Sequence, residues 1–317
     1  MKFKYLMFIP VLLSGTVYAD TIDECSSYFG KKEYSKALTL CQEACSQNSG
    51  GGCDSLGDLY YLGKGVQQDY SQAKTYYEKA CSLNNGSGCS NLGLLYDNGQ
   101  GVKQDYSQAK TYYEKACSLN NVLGCNNLGY FYEYGQGTEK DYNRAKELYE
   151  KACNMNEGYG CNNLGELYKK GQGVKQNYSQ AIELYEKACN MNEGIGCASL
   201  GELYEEGNGV KQDYGRAREL YEKSCNMDES FGCNSLGVLY EKGHGVKQDY
   251  NQAKILYEKA CDMDESFGCF NLGRLYEHGS YNVRQNKAMA KEYYKRACII
   301  DEQIGCDEYR ALNKEGD

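Results

Sequence analysis

Residues 81–116 read CSLNNGSGCSNLGLLYDNGQGVKQDYSQAKTYYEKA, and nearly the same sentence returns at Cys45, Cys117, Cys153, Cys189, Cys225 and Cys261. A fixed period of about 36 residues belongs to stacked repeats, not to a conventional globule. Each copy holds two apolar stripes. In the first, Cys89, Leu92, Gly93, Leu95 and Tyr96 recur at helical spacing. Gly99 follows, where a left-handed helix end suits glycine. In the second, Asp105 is a good N-cap, and Tyr106, Ala109, Tyr112, Tyr113, Ala116 and Cys117 form the buried stripe. The unit is therefore an αα-hairpin whose inner face needs neighbours to cover it.

Positions that hold across the copies report what the packing needs. Gly57, Gly93, Gly129, Gly165, Gly201, Gly237 and Gly273 stand in mid-helix, where glycine costs about 1 kcal/mol against alanine. Repeating that cost in every copy implies close helix–helix approach. Ala73, Ala109, Ala145, Ala181, Ala217, Ala253 and Ala290 read the same way from the second helix. The 33 tyrosines fall largely into repeated slots, one running from Tyr60 to Tyr276 and another from Tyr77 to Tyr294. An aromatic ligand cage is one reading of so many tyrosines; their fixed register favours the core.

The chain opens with the pattern of an export signal over residues 1–19. Lys2 and Lys4 precede an apolar run from Tyr5 to Leu13, and Val17-Tyr18-Ala19 fits a cleavage site. The run is short for a membrane span, and Thr16 stands where a lipoprotein would carry cysteine. A secreted or periplasmic chain without a membrane anchor is expected. Losing two lysines with the leader takes the formal charge from −9 to −11, which disfavours nucleic acid and anionic membranes as partners. No linker or composition shift divides the remainder, so one elongated solenoid is expected. Its parts are a degenerate capping hairpin over residues 20–52, seven repeats over 53–305, and a capping helix and tail over 306–317. A monomer is expected.

Cysteine spacing carries the strongest chemical signal. Of 18 cysteines, sixteen form C-x7-C pairs: Cys45–Cys53, Cys81–Cys89, Cys117–Cys125, Cys153–Cys161, Cys189–Cys197, Cys225–Cys233, Cys261–Cys269 and Cys298–Cys306. Each pair joins the end of one hairpin to the start of the next. Those ends lie side by side in an antiparallel pair, within disulfide reach. Cys25 and Cys41 remain and can pair across the first hairpin. Zinc is the alternative, but His244 and His278 are the only histidines, and two thiols per unit make a poor site. An even cysteine count in an exported chain points to an oxidising compartment. No metal and no cofactor is expected.

The pattern A-C…G-C-x-x-L-G-x-L-Y-x-x-G-x-G-V…D-Y-x-x-A-x-x-x-Y-x-K-A resembles the Sel-one-like repeat, and the C-x7-C staple resembles that family's Helicobacter cysteine-rich branch. The resemblance spans residues 21–310. It implies an all-α fold, a right-handed α/α superhelical solenoid of stapled hairpins, secreted or periplasmic and used as a recognition surface for a protein or peptide. It also implies, as an alternative, a β-lactam or peptidoglycan-like small molecule as ligand, because members of the branch are described as penicillin-binding proteins or weak β-lactamases. Serine β-lactamases need Ser-x-x-Lys with SDN-type and KTG motifs. Ser71-Gln72-Ala73-Lys74 and Ser107-Gln108-Ala109-Lys110 match the first element, but equivalent positions drift to Asn143, Gly215 and Asn251, and neither KTG nor SDN occurs. The residues themselves support no catalytic constellation.

A binding footprint is visible on the first helix of each hairpin, two, five and nine residues after its cysteine. These positions should line the concave face. The first is always short and polar, as in Asn91, Asn127, Asn163 and Asn271; the others vary, as in Leu94, Tyr130, Tyr134, Glu166, Glu202 and Glu206. A constant amide row beside a varied row suits an extended peptide. The varied row runs from apolar to acidic, so the expected segment carries apolar residues at one end and Lys or Arg at the other. A hydrogen-bond ladder internal to the solenoid is the competing reading of the amides. Glu-Lys pairs such as Glu114-Lys115 read as solvated surface charge.

Overall fold

A computed structural model describes residue 25, residues 27–301 and residues 303–314; the leader at 1–19 lies outside them. The described residues form helices and connecting turns, without strand. In chain order the helices are α1 (Tyr34–Ser46), α2 (Gly50–Leu62), α3 (Tyr70–Ser82), α4 (Gly86–Asn98), α5 (Tyr106–Ser118), α6 (Val122–Tyr134), α7 (Tyr142–Asn154), α8 (Gly158–Lys170), α9 (Tyr178–Asn190), α10 (Gly194–Glu206), α11 (Tyr214–Asn226), α12 (Ser230–Lys242), α13 (Tyr250–Asp262), α14 (Ser266–His278), α15 (Lys287–Ile300) and α16 (Cys306–Lys314). From α2 to α15 each even-numbered helix pairs with the next as a hairpin, and within each unit the hairpins pack on their neighbours. The chain divides into two compact units, one ending at Met155 and one beginning at Asn156. The repeat register passes through that point unchanged, so the sequence carries no linker to mark it.

Local chemistry sets the ends. Gly99 closes α4 with φ 69° and ψ 30°, the left-handed cap that glycine adopts without a Cβ clash. Asp105 accepts hydrogen bonds from the Ser107 and Gln108 backbone amides and so starts α5. Between one hairpin and the next, the turn needs a further left-handed residue, supplied by Asn84, Asn120, Asn192, Asp228 and Asp264 with φ of 56–63°. Short Asx side chains tolerate that region best after glycine. The extra residue in the last repeat lengthens the loop after Gly279, closed by a Ser280 amide to Val283 carbonyl bond of 2.8 Å.

The repeated glycines answer to two neighbours. A Cβ on Gly93 would stand 2.8 Å from the ring of Tyr113, and one on Gly129 would stand 2.7 Å from the ring of Tyr149. Mid-helix glycine therefore makes room for the buried tyrosine of its own hairpin, more than for a second backbone. Backbone approach belongs instead to the glycine before the second cysteine, where a Cβ on Gly88 would fall 2.4 Å from that of Ala80. The disulfide sits beside this contact. Bridges Cys45–Cys53, Cys81–Cys89, Cys117–Cys125, Cys189–Cys197, Cys225–Cys233 and Cys261–Cys269 all hold Cα atoms 4.5 Å apart. Cys298–Cys306 spans 4.7 Å and Cys25–Cys41 spans 5.1 Å. Cys153 and Cys161 are oxidised as well, and the described residues include no free thiol.

Candidate functional site

The first helix of every hairpin presents the same register, and the second supplies one buried tyrosine behind it. Tyr77, Tyr113, Tyr149, Tyr185, Tyr221, Tyr257 and Tyr294 are fully buried, and each hydroxyl donates to a carboxylate. In five repeats the acceptor stands eight residues after the cysteine: Asp97 at 3.3 Å, Glu133 at 2.7 Å, Glu205 at 2.8 Å, Glu241 at 2.5 Å and Glu277 at 2.6 Å. In the other two repeats that position holds Tyr61 or Lys169, neither of which can accept in that way. There the acid moves one turn back, to Asp58 at 2.8 Å and Glu166 at 2.5 Å. A buried hydroxyl without a partner costs about 1–3 kcal/mol, enough to hold this exchange in place. Burial and the facing carboxylate push every one of these tyrosines above its ordinary range. Sequence reasoning placed the tyrosines in the core and missed their partners; a position always acidic unless its helical neighbour is acidic was the available signal.

The short polar row runs between helices. Asn91 donates its amide to Asp54 at 3.0 Å and Asp58 at 3.4 Å. Asn271 donates to Asn234 at 2.9 Å, and Ser199 donates to Asn162 at 3.0 Å. Asn127 lies near the Tyr113 hydroxyl and favours its ionised form, and Asn163 is half-buried on α8. Burial raises Asp54 to about 7, and burial with the nearby Asp54 charge raises Asp58 well above the carboxylate range.

The varied row separates into three environments. Leu94 was expected at the surface and is buried, at 6% exposure, because an apolar side chain gains by folding onto neighbouring helices. In the C-terminal unit the acids have internal partners. Glu166 pairs with Lys170 at 2.8 Å and Lys169 at 3.6 Å. Lys169 also bonds Glu202. Burial works to raise Glu166, but these lysines and the Tyr185 hydroxyl outweigh it and leave the carboxyl low. Glu206 is exposed and accepts from Asn208 at 2.5 Å. The acid stretch is thus largely answered from within, and does not stand as a bare cation-binding strip. In the N-terminal unit, Tyr130 and Tyr134 lie against each other with ring centroids 4.4 Å apart and planes tilted by 33°. Tyr134 is 50% exposed.

The second helices carry a contact that the sequence reading assigned to solvent. Lys115 is half-buried and donates to the Cys81 carbonyl at 2.7 Å; Lys79, Lys151, Lys223 and Lys259 do the same for Cys45, Cys117, Cys189 and Cys225. Each ties off a helix C-terminus one repeat earlier, where carbonyls lack partners and the helix dipole favours a cation. Lys115→Met is expected to lower the stability of the N-terminal unit by about 1 kcal/mol, measured by urea unfolding. Lys110→Met, whose amine pairs with the exposed Glu114 at 2.7 Å and lies over the Tyr132 ring but caps no helix end, should cost less. Ser71 and Ser107 lie exposed on first turns, while Lys74 and Lys110 pair with Glu78 and Glu114.

Fold and face together define a disulfide-stapled helical-repeat scaffold. The model of the Sel1 repeat matches residues 26–49, 52–85, 86–121, 122–157, 158–193, 195–229, 230–265 and 266–299, and the chain belongs to that family, whose members typically serve protein interaction. Among solved structures, a protective antigen of uropathogenic Escherichia coli strains displaying an SLR fold is 28% identical over 94% of this chain, with a TM-score of 0.63; the chain spans 65% of that protein's length. A Sel1 repeat protein from Oxalobacter formigenes is 25% identical over 76% of this chain and 96% of its own, with a TM-score of 0.69. Helicobacter pylori cysteine rich protein B is 34% identical over 46% of this chain and 96% of its own, with a TM-score of 0.33. The staples fit the cysteine-rich branch of the family. A comparison with curated proteins finds no match.

Proposed function

We infer that the protein is an extracytoplasmic scaffold, secreted or periplasmic, that holds an extended protein segment along the first helices of its N-terminal repeats. One observation carries the reading: Tyr130 and Tyr134 form a close, half-exposed aromatic pair at the two positions that vary among otherwise uniform repeats. Aromatic side chains offer large contact area at low entropic cost and dominate binding hot spots. The chemistry of the cysteines supports the location, since disulfides persist in oxidising compartments. The internal pairing of Glu166 and Glu202 moves the anchor away from the acidic stretch and onto the tyrosines.

The test is capture from envelope and secreted fractions with the oxidised protein, followed by surface-plasmon kinetics on the captured partner. Tyr130→Ala is expected to weaken binding by about 2 kcal/mol, chiefly as faster dissociation. Unchanged kinetics in Tyr130→Ala and in Tyr134→Ala would sink the reading.

A further inference from the structure

The helix-start position of the repeats changes character between the two units. Ser49, Asn85 and Asn121 open α2, α4 and α6; Glu157, Glu193, Glu229 and Glu265 open α8, α10, α12 and α14. The residue two places further on changes in step. It is Gly51, Ser87 and Leu123 in the first set, and Tyr159, Ile195, Phe231 and Phe267 in the second. Glutamate thus arrives together with Tyr, Ile or Phe at that position. Glu157, Glu229 and Glu265 are buried.

The glutamates form a ladder within the C-terminal unit, in which Glu193, Glu229 and Glu265 each lean on the glycine or serine that begins the first helix of the hairpin before. A Cβ on Gly158 would overlap Glu193, and one on Gly194 would meet the Glu229 Cβ at 2.7 Å. Ser230 donates to Glu265 at 3.4 Å. Facing groups on the packed elements are few. The Gly160 amide donates to Glu157. The Tyr159 side chain bonds Glu193, and the Phe231 and Phe267 amides serve Glu229 and Glu265. The ionised neighbours of Glu157 and Glu229 within the ladder are other ladder glutamates. The basic side chains towards the ends of α11, α13 and α15 are engaged elsewhere: Lys223 on the Cys189 carbonyl, Lys259 on the Cys225 carbonyl and Asp228, Arg296 on the Cys261 carbonyl and Asp262. Glu229 keeps one buried carboxyl oxygen without a hydrogen-bond partner. Such a stack tolerates neutral carboxyls far better than four charges.

We propose that this glutamate ladder is an acid-strengthened seam: protonated, it locks the C-terminal repeats together, and on ionising towards neutral pH it loosens them. Burial pushes Glu157 and Glu229 up to about 7, with Glu193 and Glu265 raised in the same direction. The folded state therefore holds protons that the unfolded chain has already released between about pH 4.5 and about pH 7. Stability from the ladder is full below that window and is lost as the pH rises through it. The pair Asp54 and Asp58 in the N-terminal unit titrates in the same sense, so the readout must be local.

Hydrogen exchange of the intact, oxidised protein, corrected for intrinsic chemical rates, supplies it. Protection across residues 230–242 and 266–278 is expected to be about ten-fold greater at pH 5 than at pH 7.5, while residues 122–134, capped by Asn121, change less. The double change Glu229→Gln with Glu265→Gln mimics the protonated form and should abolish the difference by raising protection at pH 7.5. A side-chain carboxyl NMR titration of the unaltered protein should show glutamates with midpoints near 7. Equal protection at both pH values, an undiminished difference in the double variant, or glutamates that all titrate near 4.5 would overturn the proposal.

Discussion

Tyr149→Ala is expected to remove about 4 kcal/mol of stability from the N-terminal unit, the largest loss of any single side-chain truncation in it. The ring is fully buried and fills the space left open by Gly129, so truncation leaves a void that a covalently stapled neighbourhood cannot collapse. It also takes the Tyr149 hydroxyl donor away from Glu133, itself buried. The two contributions separate by chemistry. Tyr149→Phe keeps the ring and removes only the hydroxyl–carboxylate bond, at about 1–3 kcal/mol. Adding Glu133→Leu to that variant should recover part of the loss, because an apolar pair costs less than a buried acid that has lost a donor. Urea unfolding followed through exchange of residues 122–154 gives the values. A Tyr149→Phe protein as stable as the parent would mean that the hydroxyl–carboxylate bond contributes nothing.

The second large effect concerns the seam between repeats. Gly124→Leu should prevent correct oxidation, because a Cβ at that position would stand 2.4 Å from the Ala116 Cβ and 3.0 Å from the Cys117 amide nitrogen. Overpacked cores usually relax at a cost of about 1–3 kcal/mol. Here the neighbouring bridge holds Cys117 and Cys125 at 4.5 Å between Cα atoms, so the helices cannot part without losing it. The expected product is a protein with two free thiols, against none in the parent, counted under denaturing conditions. A fully oxidised Gly124→Leu protein of parental stability would contradict the packing described.

Much of this architecture was legible in residues 81–116 alone. Period, helix ends, buried stripes and cysteine pairing all follow from local spacing, and local spacing is what a repeat displays most plainly. What stayed hidden depends on contacts between copies. Lys115 looks solvated within its own hairpin; the carbonyl it reaches belongs to Cys81, 34 residues back. The amide row read equally as a ligand contact or an internal ladder, and only the structure shows Asn91 and Asn271 bonded to the preceding repeat. The acidic stretch looked like a site for a basic segment until Lys169 was placed between Glu166 and Glu202. In each case a side chain's partner lies a full repeat away, where periodicity and propensity do not decide between a neighbour and solvent.

The alternation of the tyrosine's acidic partner sets which modules can be rewritten. Where the acid stands eight residues after the cysteine, as at Glu133 or Glu241, the position one turn earlier is released from that duty. Tyr130, Val238 and Arg274 occupy such released positions. Where the acid has moved forward, as at Asp58 and Glu166, the same position is committed to the interior and cannot drift without stranding a hydroxyl. The chain is therefore a mixed alphabet, with letters open to selection interrupted by letters held fixed by folding. Grafting a new specificity onto it would succeed at Val238 before it succeeded at Glu166, and only a paired exchange, acid for acid across one helical turn, would unlock the latter.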